Sequence, residues 1–121
     1  MEQLITQTGS LLNPDGTLSV KGWSPQPLLD SNLENANFYT LKFLQSMRMK
    51  RWDYYGLTTD KYYFSFTVSD IGYLGMIFVY VIDFENQQMH EETIAVPFAS
   101  GVKIARNSQD GVTEFKNKNV Q

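Results

Sequence analysis

Cysteine is absent from this sequence, and histidine occurs once, as His90. The first absence excludes disulfides, thiolate metal sites and a cysteine nucleophile together, and it suits a reducing compartment. The second removes most imidazole chemistry. In a strand, sequence neighbours point to opposite faces, so of Glu91 and Glu92 only Glu92 shares a side with His90. One His with one Glu is an incomplete metal site. A surface or pairing role explains His90, and neither a metal nor a cofactor is expected.

Other signals are missing too. No G-x-S-x-G surrounds any serine, so no Ser–His–Asp arrangement can be argued. Gly72 and Gly75 are not followed by GK[ST] and serve a tight turn and a bulge better than a phosphate loop. No Asn-x-Ser/Thr sequon occurs. The longest nearly unbroken apolar run, Leu74 to Phe84, is far shorter than the ~18 residues of a membrane helix. The opening MEQLITQTGSLLNPDG lacks a basic stretch and a long apolar core, so no signal peptide is expected. Basic residues number 10 against 13 acidic, a net charge of −3, which does not advertise nucleic-acid or anionic-membrane binding. These absences favour a cytoplasmic protein with no transmembrane segment and no nucleic-acid partner.

What is present fits a single globular domain, residues 1–121. Hydrophobic residues at 42% and charged residues at 19% exclude disorder, and aromatics at 14% lean towards strands. Residues 1–31 read as an irregular arm. Asn13-Pro14-Asp15-Gly16 is a turn, because Pro presets φ and Gly accepts positive φ. Trp23, Leu28 and Leu29 are expected to pin the arm. Residues 33–48 hold the one helical candidate, with Phe38, Leu41, Leu44 and Met47 at three-residue spacing and Asn32 or Asn35 as its cap.

From Lys50 the period changes to two, and residues 50–116 read as a β-meander. Tyr62, Phe64, Phe66 and Val68 face one way; Tyr63, Ser65, Thr67 and Ser69 face the other. Leu74 to Phe84 is apolar on both faces and wants cover on both sides. Gln88 to Val96 is a weaker strand, and short strands fit near 102–105 and 112–116. Short connections make antiparallel pairing the default. The fold class is mainly β, an antiparallel meander forming a partial barrel or sandwich, with the irregular arm and one short helix.

Three segments taken together carry a family resemblance. They are Gly22-Trp23 with Pro27-Leu28-Leu29, then Lys50-Arg51-Trp52-Asp53-Tyr54-Tyr55, then Asp70-Ile71-Gly72-Tyr73-Leu74-Gly75. From about Leu12 to about Gly101 the chain resembles the start of the family called domain of unknown function 2804. That resemblance implies a calycin-like (lipocalin-like) architecture, akin to the hydroxyneurosporene-synthase group. It carries over no catalytic or binding residue. Members are usually much longer, so the resemblance also implies that this chain is the N-terminal portion of a longer family domain. A short meander leaves edges unpaired, which predicts either a homodimer through the sheet or an incomplete domain.

The candidate residues follow from these patterns. Asp53 and Asp70 are the carboxylates considered for acid–base work. Asp70 lies in a turn, where Asp bonds its own backbone. For Asp53, an ion pair with Arg51 or a solvent-facing position is the plainer explanation. Asp60 is a turn residue, and Asp83 makes a strand-terminal hydrogen bond. Arg48, Lys50 and Arg51 beside Trp52, Tyr54 and Tyr55 would suit stacked single-stranded bases. A helix C-terminus followed by a core-facing Trp52 explains the same residues, and the net acidity favours that. Trp52, Tyr54, Tyr62, Phe64 and Phe66 are the candidates to line a cavity for a hydrophobic small molecule, if they are not simply core. The two readings that remain are a non-enzymatic binding domain and part of an enzyme, an isomerase or hydratase, acting on an apolar substrate; a protein-interaction module is a third.

Overall fold

A computed structural model describes residues 3–120; residues 1, 2 and 121, at the ends of the predicted arm and tail, lie outside the described residues. The described residues are mainly β, 43% strand against 8% helix. The chain divides into two compact units, residues 1–45 with 105–111 and residues 46–104 with 112–121.

The first unit is built from short parallel pairings. β1 (Gln3–Leu4) pairs with β3 (Gly22–Trp23), and β2 (Gly9–Ser10) pairs with β4 (Leu29–Asp30). Part of the predicted irregular arm is therefore paired, although Trp23 remains 57% exposed and does not pin it. Gly16 sits at φ 86° in the predicted turn, and its N–H donates to Asn13 O at 2.9 Å. The buried Asn32 occupies the N-cap position of the 3-10 turn Leu33–Asn35, but its side chain makes no capping bond. Its side chain accepts from Leu12 N–H at 2.9 Å and donates to Leu12 O at 2.8 Å, standing in for a strand partner. Arg106 holds the segment after β4, donating to Asp30 at 2.7 Å and to Glu34 at 2.8 Å.

The helix predicted over 33–48 is broken. A 3-10 turn covers Leu33–Asn35 and α1 only Lys42–Arg48. Between them the backbone is taken over by side chains: Gln45 donates to Ala36 O at 2.6 Å and accepts from Phe38 N–H at 2.9 Å. Those bonds compete with helix continuity, and three-residue spacing alone did not register them.

The second unit carries the meander. β5 (Arg51–Thr58), β6 (Tyr62–Asp70), β7 (Leu74–Asp83) and β8 (Gln88–Pro97) form one antiparallel sheet in sequence order. It is open: among the described residues β5 and β8 have no strand on their outer sides. Aspartates end the strands. Asp70 Oδ1 accepts from Gly72 N–H at 2.8 Å, and Asp83 Oδ1 accepts from Glu85 and Asn86 N–H at 2.9 and 3.0 Å. β9 (Val102–Lys103) and β10 (Glu114–Phe115) make a small antiparallel pair. They pack at the Gly75 end of the sheet, where a Cβ on Gly75 would stand 2.5 Å from the Val102 side chain.

The buried apolar side chains are few among the described residues: Leu12, Ala36, Val68 and Phe115. β7 is half-buried along almost its whole length rather than covered on both faces. The expected inward face of β6 is covered only in part: Val68 is buried and Phe64 half-buried. Phe66 is 45% exposed, whereas Ser65, Thr67 and Ser69 are buried. Small side chains sink into the trough between the larger rings of neighbouring strands, so the polar half of the alternation lost its solvent.

Candidate functional site

Each hairpin of the sheet joins an even-numbered residue to an odd-numbered one. The registers Tyr54↔Thr67↔Phe78 and Gly56↔Ser65↔Tyr80 show it. Face membership therefore alternates in parity from strand to strand. Trp52 and Tyr54 share a first face with Tyr63, Ser65, Thr67, Phe78 and Tyr80. Tyr62, Phe64 and Phe66 lie on the second face with Tyr55, Leu57 and Val79.

Three phenols meet on the first face. Tyr54 and Tyr63 share a hydrogen bond through their hydroxyls, and the Tyr54 hydroxyl lies 3.4 Å from that of Tyr80. The rings of Tyr63 and Tyr80 stand 5.9 Å apart at 43°. Glycine makes this possible, because Gly56 lies where the Tyr63 hydroxyl needs room. Ser65 and Thr67 form the floor, 0% and 3% exposed, and neither hydroxyl has a hydrogen-bond partner. The Tyr63 bond, then the Tyr80 bond, hold the Tyr54 hydroxyl below the usual tyrosine range, and Ser65 adds a smaller pull in the same direction. Tyr63 is pushed up to about 12, first by its bond to Tyr54. Tyr63 is thus the proton donor of the pair once Tyr54 ionises.

The family model described as Domain of unknown function (DUF2804) matches residues 2–121. The chain belongs to the DUF2804 family. The match extends past both ends of the resemblance read from the sequence. Comparison with curated proteins and with solved structures finds no match.

In the DUF2804 domain the two candidate carboxylates are already engaged. Asp70 pairs with Arg51 at 2.5 Å besides closing its turn. Asp53 accepts a hydrogen bond from the Thr113 hydroxyl, not the predicted ion pair from Arg51, because register sets Arg51 opposite Asp70. Trp52, expected to face the core, is 62% exposed, and Tyr54 is 50% exposed. His90 and Glu92 do share a side, 3.2 Å apart and exposed. Among the described residues no three His, Asp or Glu side chains gather as a metal would need, and no helix is long and apolar enough to cross a membrane. The first unit has an open groove of about 640 Å³ lined mainly by polar residues, including Thr6, Thr8, Asn13 and Asn35.

Sequence reasoning missed Gly56, Tyr63, Ser65, Thr67 and Tyr80. Gly56 on β5 and Tyr80 on β7 carried no signal of this kind; for Tyr63, Ser65 and Thr67 the signal was the odd half of the β6 alternation, which was set aside as polar. Only the hairpin register attaches it to Trp52 and Tyr54.

Proposed function

We propose that this DUF2804 domain binds a hydrophobic small molecule against its four-stranded sheet, as a non-enzymatic, calycin-like module. The observation that carries the proposal is the first face, where the exposed Trp52 and Tyr54 of β5 stand beside the buried Ser65 and Thr67 of β6. Large aromatic side chains left exposed side by side on one sheet face suit a ligand-binding surface. Covering the exposed part of Trp52, on the order of 150 Å², contributes about 4 kcal/mol before ordering costs. An acid–base enzyme is less well supported, since Asp53 and Asp70 are both held in structural bonds. The test is displacement of a fluorescent lipid-like probe. Binding that Trp52→Ala weakens about tenfold is expected; no binding at any concentration would remove this function.

A second property rests on the sheet edges. β8 carries Glu91 and Glu92 side by side, and like charges oppose pairing with a second copy. β5 has no such pair, and its residues are exposed except for the half-buried Asp53. We infer that a homodimer, where it forms, pairs β5 with β5. Native mass spectrometry should show a dimer that Leu57→Lys dissociates and Ala95→Lys, on β8, leaves intact; the reverse pattern assigns the interface to β8.

A further inference from the structure

The unsatisfied hydroxyls of Ser65 and Thr67 restrict what the first face would hold. Buried polar groups almost always have partners, and each exception asks for a reason. Here two exceptions lie two residues apart on one strand, on one face, under one cluster of phenols. Alanine and valine would fill the same trough without orphaned donors. Packing alone therefore does not account for hydroxyls at both positions.

Charge narrows the choice further. Along β5 to β8 this face carries no lysine, arginine or histidine, and its one ionisable carboxylate is Glu91, opposite Tyr80. Nothing there would neutralise a carboxylate or phosphate group. Ser, Thr and Tyr hydroxyls both donate and accept, which suits a neutral oxygen. Tyr54 is also the natural gate: its ring is half exposed and tied across the trough by its bond to Tyr63.

Resting on the function proposed above, we propose that the ligand is a neutral apolar molecule bearing a hydroxyl or carbonyl oxygen. Tyr54 swings outward and the oxygen hydrogen-bonds Thr67 and Ser65. The apolar remainder lies against Trp52 and Phe78. No covalent step is involved.

The experiment compares dodecanol, dodecanoate and dodecane as competitors for the fluorescent probe, on the full chain and on Thr67→Val. Dodecanol is expected to compete best. Thr67→Val should weaken dodecanol about tenfold, the order of one hydrogen bond to a buried partner, and leave dodecane unchanged. Valine keeps the shape and removes an orphaned hydroxyl, so the variant should fold at least as stably as the parent. Ser65→Ala gives the same reading should Thr67→Val fail to fold. Equal competition by alcohol and alkane, insensitive to either substitution, overturns this inference and leaves the apolar-binding function standing. Preference for dodecanoate overturns it as well. No competition by any of the three, with no probe bound, removes the function itself.

Discussion

Gly56 and Tyr63 fit together across the β5–β6 hairpin: a Cβ on Gly56 would stand 2.6 Å from the Tyr63 hydroxyl. The missing side chain is what lets Tyr63 reach Tyr54. Gly56→Ala should displace the Tyr63 hydroxyl and break that contact. Tyr63 should then titrate well below its present value of about 12, nearer an ordinary tyrosine. Phenolate absorbance followed through an alkaline titration reads this directly. An unchanged high-pH step would mean that Tyr63 keeps its partner by another route.

Tyr54→Phe tests the same pair from the other side. A folded pKa raised above the unfolded one contributes stability below the unfolded value of 10.0 and loses it as pH rises through about 12. The depressed Tyr54 hydroxyl acts oppositely: its contribution is present above 10.0 and fades as pH falls through its folded value. Removing Tyr54 should therefore abolish both the early and the late tyrosine steps and flatten stability from the folded value of Tyr54, below 10.0, up to about 12. Two unshifted tyrosines in the parent would refute the pairing.

Acid should loosen the first unit around Arg106. Bonding to Arg106 holds the Asp30 carboxyl below its ordinary 3.8. Glu34 is held below 4.5, first by its own backbone N–H and then by Arg106. Depressed carboxyl values contribute stability that is present above the ordinary pKa and lost as pH falls through the folded one. Both groups are solvent-exposed, so the effect is modest and sensitive to salt. Protection of the amides near residues 30–34, relative to their intrinsic exchange rates at each pH, should fall below about pH 4, and Arg106→Gln should lower it already at neutral pH. Protection that does not change with pH would show that the ion pairs do not hold this segment.

Gly72 is a tightly constrained turn residue of the sheet. Its φ is 82°, and a Cβ would meet the Met47 backbone at 2.5 Å. Gly72→Ala should destabilise by more than about 1 kcal/mol. Gly9→Ala, whose nearest neighbour would be a Leu29 methyl at 3.9 Å, should be nearly neutral. Denaturant midpoints of the two variants provide the comparison. Equal midpoints would mean that the turn after Asp70 adapts freely.

Much of the meander was legible in order. The period of two after Lys50 locates β5 to β8 within a residue or two, because a pleated strand puts alternate side chains on opposite faces. Asp70 and Asp83 were legible for a similar reason: an Asp at a strand end bonds the next free N–H, a local event. The helix was less so. Its apolar spacing persists from Phe38 to Met47, but Gln45 bonds the backbone of Ala36 and Phe38, and that competition depends on a side chain seven to nine residues away.

The candidate site divided along the same line. By itself the sequence determined that aromatic residues alternate along β5 and β6, that no cysteine or histidine cluster can form, and that Asp70 closes a turn. All of these depend on composition or near neighbours. Which residues share a face was decided only by tertiary structure. Hairpin register placed Trp52 and Tyr54 with Ser65 and Thr67 and set Phe64 and Phe66 on the other side. A shift of one residue would reverse every such grouping, since the side-chain period is two. Burial of Ser65 likewise needed Tyr54, Tyr63 and Tyr80 to converge from three strands, a contact that no local pattern encodes.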